Sequence, residues 1–336
     1  MKKHLHKIFF GIGIACTAAM LGLLLGHIYW GDRFFPETRY FSSPQSHFFA
    51  PKVTEFSVAL VGDTGAENHV LERVIDDAQE SDNDYAFMLY LGDFVTKKTR
   101  TGMSWLLHEI RPHLHNMPFY ATPGNHDVEF SHVVDKSHYR SMMGSTYYWF
   151  GYGDVLFVAL DSSGKYIEAE QFEWLDNTLA KIRPMFKHCV IYSHKPPIEL
   201  IPGVIKNHTL KKSDADKLAA IVKKHRVNAM IFGHVHYFAK GTFAGVPIYT
   251  IPAAGQGNRV EDKAHGYASI TFDKHGIKSV EPHYIDFKGP KREKFEYSAA
   301  RRVFGYALRD TVSCFLLLAI LSFGIGGIFY KMNHRD

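Results

Sequence analysis

The sequence has little cysteine. Three occur in 336 residues, Cys16, Cys189 and Cys314, and the first and last fall in apolar end segments. That excludes an internal disulfide framework and leaves the redox compartment open. Basic blocks are also absent. The formal charge is +5 and the pI about 8.8, but Lys and Arg are scattered, which gives no reason to expect a nucleic-acid partner. No internal repeat is visible.

A third absence is local. Residues 8–30, IFFGIGIACTAAMLGLLLGHIYW, and 312–330, VSCFLLLAILSFGIGGIFY, contain no Asp, Glu, Lys or Arg. As helices each would be about 30 Å long or slightly more, enough to cross a bilayer. The polar stripe that a core helix would carry is missing. Tyr29, Trp30 and Tyr330 stand where interfacial anchors belong. The first run could instead be a cleaved signal. It is longer than a usual signal core, and no small-x-small site follows it, which favours an anchor.

Lys2, Lys3 and Lys7 precede the first run, and Lys331 and Arg335 follow the second. Both facts favour cytoplasmic termini, with the middle of the chain on the exported (periplasmic or extracellular) side. Lys294, Arg301, Arg302 and Arg309 argue the other way, but long connections translocate largely regardless of charge. The expected organisation is a transmembrane helix at 8–30, a linker at 31–52, a domain at 53–287, a basic juxtamembrane segment at 288–311 and a transmembrane helix at 312–330.

Between the anchors there is enough apolar sequence for a full core, with 46% hydrophobic and 14% aromatic residues overall. Apolar and β-branched runs predict strands at 56–61, 85–91, 119–121, 155–160, 189–192, 230–232, 248–251, 267–272 and 279–284. Helical periodicity predicts helices at 66–79, 104–114, 168–182 and 213–225. Ser213 is expected to cap the last of these, with Asp216 completing a capping box. Segment 129–150 reads as an irregular insert and 198–209 as a loop. The order is β-α-β-α-β, then alternating elements, then a late group of strands. It predicts an α/β fold of mixed sheets packed face to face with helices outside.

Five polar knots follow apolar runs: Gly62-Asp63-Thr64-Gly65, Gly92-Asp93, Gly124-Asn125-His126-Asp127, Ser193-His194 and Gly233-His234-Val235-His236. Strand ends are where open α/β sheets place their sites. Each knot alone is weak. Gly-Asp usually marks a turn, and a histidine in a strand is more often a core or surface residue. The ordered series is what carries weight, since two Asp, one Asn and three His can hold two divalent cations.

This series resembles the calcineurin-like metallophosphoesterases, a family that includes purple acid phosphatases. The resemblance covers roughly residues 56–284. It implies a four-layer α-β-β-α sandwich of two mixed sheets and a metal-dependent phosphatase or phosphodiesterase. It further implies that Asp93 bridges two divalent cations (Mn, Fe or Zn). Asp63 and His236 would serve the first, and Asn125, His194 and His234 the second. His126 would stand near the leaving oxygen as a general acid, with Asp127 orienting it, while a metal-bound hydroxide attacks phosphorus in line.

One position departs from the family's pattern. Its first motif is commonly Asp-x-His, and here Gly65 follows Thr64. Purple acid phosphatases share Asp-x-Gly but add a tyrosine three residues after the bridging Asp, where this chain has Thr96. Asn68 or His69 could reach in, although helix starts usually use such residues as caps. The first cation site is therefore expected to be weaker, and a histidine at position 65 to strengthen it. A non-catalytic binding or scaffold protein is the alternative. The substrate is an open choice among a phospholipid or glycolipid head group, a nucleotide and a phosphoprotein. The membrane anchors favour lipid. Segments 129–150 and 197–213 are expected to wall the pocket, with Tyr139, Tyr147, Tyr148, Trp149 and His208 as contacts.

Overall fold

The computed structural model describes residues 5–31, 53–65, 68–81, 83–95, 100–114, 117–130, 134–203, 208–257, 265–285 and 307–333. The chain divides into two units, Met1–Pro36 with Gly289–Asp336, and Glu37–Lys288. The expected linker and basic juxtamembrane segment lie almost entirely outside the described residues.

The smaller unit is a pair of helices, α1 (Leu5–Gly31) and a C-terminal helix (Ala307–Asn333), packed on each other. Phe10 and Phe323 lie with ring centroids 6.0 Å apart, and His6 and Tyr330 lie at 5.8 Å. Apolar side chains such as Ile8, Ile14, Ile320 and Ile328 face outward. By length and composition α1 can cross a membrane over Leu5–Gly22. Among the described residues the partner helix has only a shorter apolar stretch, Leu318–Ile328.

The larger unit contains two sheets. Strands β1 (Phe56–Val61), β2 (Tyr85–Tyr90), β3 (Phe119–Ala121), β12 (His265–Asp273) and β13 (Gly276–Ile285) form one, in the order β13-β12-β1-β2-β3. The other holds β6 (Tyr148–Tyr152), β7 (Val155–Ala159), β8 (His188–Ser193), β9 (Ala229–Phe232), β10 (Ala239–Phe243) and β11 (Val246–Thr250), in the order β10-β11-β9-β8-β7-β6. Both are mixed. β1, β2 and β3 run parallel, as do β7, β8, β9 and β11, while β6, β10, β12 and β13 pair antiparallel.

The sheets pack face to face through Leu60, Phe87, Leu89, Ile270 and Phe272 from the first and Phe150, Phe157, Tyr192 and Ile231 from the second. Alternation explains this: Leu156, Val158, Ile191 and Met230 point away from that layer and meet Leu175 and Leu179 of α5 (Ala169–Ile182) and Leu218 and Val222 of α6 (Lys212–Lys224). On the far side α2 (Asn68–Glu80) packs on β12, β13 and α3 (Arg100–His113). The expected α/β architecture of two mixed sheets is thus present.

Three local expectations are corrected. The insert 129–150 is ordered as a short β4–β5 hairpin (Glu129–Phe130 with Val134–Asp135), helix α4 (Ser137–Met143) and strand β6. Strand β10 was not foreseen, because Ala239–Phe243 is half-exposed and little more apolar than a loop. Ser213 does not cap α6. The helix begins one residue earlier with Lys211 at its N-cap, and Lys212 instead pairs with Asp216 at 2.9 Å across one turn.

Candidate active site

The five polar knots converge at the C-terminal ends of β1, β2, β3, β8 and β9, where the parallel strands of both sheets finish. Turning the chain there takes unusual backbone. Asp63, Asp93, His234 and His236 have φ of 57°, 58°, 70° and 61°, four of the six non-glycine residues with positive φ among the described residues. Each left-handed conformation costs about 1–2 kcal/mol. Such strain collected at one place marks a functional site. Gly124 is demanded by crowding, since a Cβ there would overlap the Asp93 backbone nitrogen and carboxylate.

His194 sits at the centre and is fully buried. Its Nδ1 lies 2.7 Å from the Leu91 carbonyl oxygen, which only accepts, so Nδ1 carries the hydrogen. The opposite nitrogen, Nε2, faces Asp93 Oδ2 at 3.3 Å, Asn125 Oδ1 at 3.2 Å and His234 Nδ1 at 2.9 Å. In the neutral ring this nitrogen is a lone pair, and it faces the Asp93 and Asn125 oxygens, which also accept. A cation between these groups, either a proton or a metal, suits that arrangement. Burial disfavours an imidazolium here, yet the Asp93 carboxylate, its hydrogen bond and the Asp63 charge outweigh burial and raise His194 to about 9. For Asp93, burial is overcome by His194 and His126, and its carboxyl is held below the ordinary range. His234 is shifted the other way by burial and then by the His194 charge, which keeps it neutral, as a ligand must be.

The donor set therefore fits a metal ion: Asp93, His194 and His234 offer ligand atoms within 4.8 Å of one another, and Asn125 adds an amide oxygen. His208, the only one of the expected pocket contacts seen at this point, places Nδ1 3.1 Å from His234 Nε2. It fixes the outer face of that ring, as outer partners of metal-bound histidines do.

Asp63 and His236 lie beside this cluster. His236 Nε2 is 3.4 Å from Asp63 Oδ1, and its Nδ1 donates to the Gly257 carbonyl at 3.1 Å. Both Asp63 oxygens accept the His234 backbone N–H, at 3.1 and 2.9 Å, which ties the two sheets together across the site.

His126 is partly exposed, with its side chain 37% accessible and Nε2 3.9 Å from Asp93 Oδ2. Asp127 is buried. Its Oδ2 accepts the N–H groups of Asp93 and Gly124 at 2.8 Å, and its Oδ1 accepts those of Phe94 at 2.8 Å and Val95 at 3.4 Å. Its carboxylate thus locks the β2 and β3 loops together.

The sequence profile of the calcineurin-like phosphoesterases matches residues 56–238, more than half of the chain. The chain belongs to the calcineurin-like phosphoesterase family. Relatives include the serine/threonine-protein phosphatase CPPED1 of Bos taurus, 25% identical over 175 residues, covering 49% of this chain and 52% of the relative. A cAMP/cGMP dual specificity phosphodiesterase of Mycobacterium tuberculosis is 32% identical over 110 residues, covering 30% and 33%. The chain spans about half the length or less of these curated relatives. Among solved structures, a purple acid phosphatase from yellow lupin seeds superposes with a TM-score of 0.54 at 14% identity, covering 71% of this chain and 56% of that one. That likeness supports the fold.

Several expected contacts lie elsewhere in this calcineurin-like phosphoesterase. Tyr139 is fully buried beside Phe94, and Tyr148 donates to the Ala121 carbonyl at 2.8 Å. Trp149 belongs to the core under α5 and α6, and Tyr147 packs on Trp174 with ring centroids 4.9 Å apart. These rings pack the fold. The side chains of Asn68 and His69, and all of Thr96, lie outside the described residues. The carbonyls of Leu91 and Gly257 and the side chain of Gln256 were not foreseen. Backbone acceptors leave no mark in a sequence.

Proposed function

We propose that the chain hydrolyses a phosphoester at a pair of divalent cations. Asp63, Asp93 and His236 hold the first, and Asp93, Asn125, His194 and His234 the second. The observation that carries this is the group of Asp93, Asn125 and His234 gathered around His194 Nε2, whose other nitrogen is spent on the Leu91 carbonyl. Bound cations supply Lewis-acid polarisation of the phosphoryl oxygens and activation of water.

The protein's own groups do the rest. Asp127 fixes the β2 and β3 loops through four backbone donors, so Asp93, Asn125 and His126 stay in register. In this role it positions the loop that carries His126. The His126 backbone N–H is anchored on Asp93 Oδ1 at 2.8 Å, while its ring reaches solvent. That ring meets substrate from the open side and gives a proton to the leaving oxygen. Leu91 and Gly257 hold His194 and His236 in the tautomer that keeps Nε2 free to bind.

The substrate reading is a phosphorylated head group at a membrane surface, reached from the exported side. It rests on the apolar helix α1 and on the lysines before it. A second reading, a non-catalytic scaffold, is favoured by Gly65 alone. Purified full-length protein assayed against phosphomonoesters and phosphodiesters with added Mn, Fe or Zn tests both. Metal-dependent hydrolysis of either ester class, read as release of the leaving alcohol, supports the hydrolase. Two bound metals with no turnover of any ester supports the scaffold.

A further inference from the structure

Segment 253–257, AAGQG, wraps the first cation position. The Ala254 N–H donates to the Gly62 carbonyl and the Gln256 N–H to the Asp63 carbonyl, both at 2.8 Å, and the Gly257 carbonyl takes the His236 Nδ1 hydrogen at 3.1 Å. The backbone on both sides of Gln256 is therefore pinned to the two residues assigned to that cation. The Gln256 side chain folds over Gly65. A Cβ added at residue 65 would overlap Gln256 Cγ and stand 2.8 Å from its Nε2. That Nε2 is sealed from solvent and has no hydrogen-bond partner. An unpaired buried amide is costly unless a ligand uses it. Its oxygen and nitrogen exchange places by a half-turn about Cγ–Cδ, with no change of shape.

We propose that the Gln256 side-chain oxygen is a ligand of the first cation, in the space where a side chain at residue 65 would lie. This rests on the two-cation reading above. Each cation then has one neutral amide oxygen, Asn125 at the second and Gln256 at the first. Gly65 ceases to be a defect. It is the residue whose lack of a side chain leaves Gln256 room to enter.

The test is calorimetric titration of detergent-purified, metal-stripped full-length protein with Mn2+, with no turnover involved. Wild type is expected to bind two ions per chain. Gln256→Ala should keep one ion at wild-type affinity and weaken the other roughly tenfold or more, the scale of loss seen when a metal's supporting groups are removed. Gln256→Glu, which preserves the shape and adds charge, should bind that ion at least as tightly as wild type, and it decides the question if Gln256→Ala fails to fold. Two ions of unchanged affinity in Gln256→Ala, or a Gln256→Glu variant that binds the ion less tightly than wild type, would overturn the ligand assignment while leaving the two-cation reading intact. Wild-type protein that binds no Mn2+ would defeat both.

Discussion

At the proposed second cation position Asp93, Asn125 and His234 crowd one nitrogen of His194 at 2.9–3.3 Å, whereas at the proposed first, among the described residues, Asp63 and His236 face each other 3.4 Å apart. The second is built from strand ends of both sheets, with His194 fully buried. The first leans on the loop 253–257. A site made from strand ends is set by the same packing that folds the sheets. A site completed by a loop is more easily retuned, since loops carry fewer packing constraints. On the two-cation reading, this asymmetry makes the second position the expected tight one and the first the expected adjustable one.

The largest effect is expected from Asp93→Ala. It removes the carboxylate that the two proposed positions share, so both cations and all hydrolysis should be lost while the fold persists. Metal analysis with far-UV circular dichroism checks this. Near wild-type turnover would break the two-cation comparison outright.

His126→Ala should lower turnover roughly 10²–10⁴-fold, the range of a lost general acid, with metal content unchanged. A nitrophenolate leaving group, which needs no proton, should partly rescue it. Loss of metal in this variant would instead place His126 among the ligands.

Gly65→His sharpens the contrast between the positions. From sequence alone a histidine there should strengthen the first site. The structure reverses this, because φ at Gly65 is 58° and Gln256 occupies the space above it. The variant is expected to lose about 1–2 kcal/mol of stability from the left-handed backbone, more with the overlap, and to gain no cation. Thermal unfolding and metal analysis of the variant decide it.

The smallest effect is a change of slope with pH. Without a cation, burial is outweighed by the Asp93 carboxylate, which raises His194 from its ordinary 6.5 to about 9. A raised folded-state value means that the stabilisation is complete below about pH 6.5 and drains away as pH rises towards 9. With saturating Mn2+ the cation takes the proton's place, and stability should no longer fall across that window. Melting curves at several pH values, with and without Mn2+, check the prediction. Identical slopes would mean that His194 holds no metal.

Much of this was legible in the sequence because each donor follows an apolar strand and a tight turn. Asp63, Asp93, Asn125, His194, His234 and His236 could be picked out by that grammar, and the structure brings them to one place. Gln256 obeys no such grammar. It lies in a loop after β11, and its role depends on Gly65, 191 positions earlier in the chain (256 − 65), which sequence reasoning reads only as a missing imidazole. The aromatic cluster at 147–149 misled for a related reason. Tyr148 and Trp149 alternate inward along β6, and alternation in a strand that is buried on both faces looks like a polar-lined insert when its neighbours are unknown. The α6 start was misplaced because Ser213-x-x-Asp216 fits a capping box, yet Asp214 is used by the Ile167 N–H at 2.9 Å.

The most direct test of the central claim is to measure release of the leaving alcohol from a phosphomonoester and a phosphodiester together with bound metal, in wild type and Asp93→Ala, as Mn2+ is raised from zero. The account predicts that wild-type hydrolysis climbs with occupancy until two ions are bound per chain, and that Asp93→Ala neither binds the pair nor turns over. Full hydrolysis with one ion bound, or hydrolysis that survives the loss of Asp93, would contradict it.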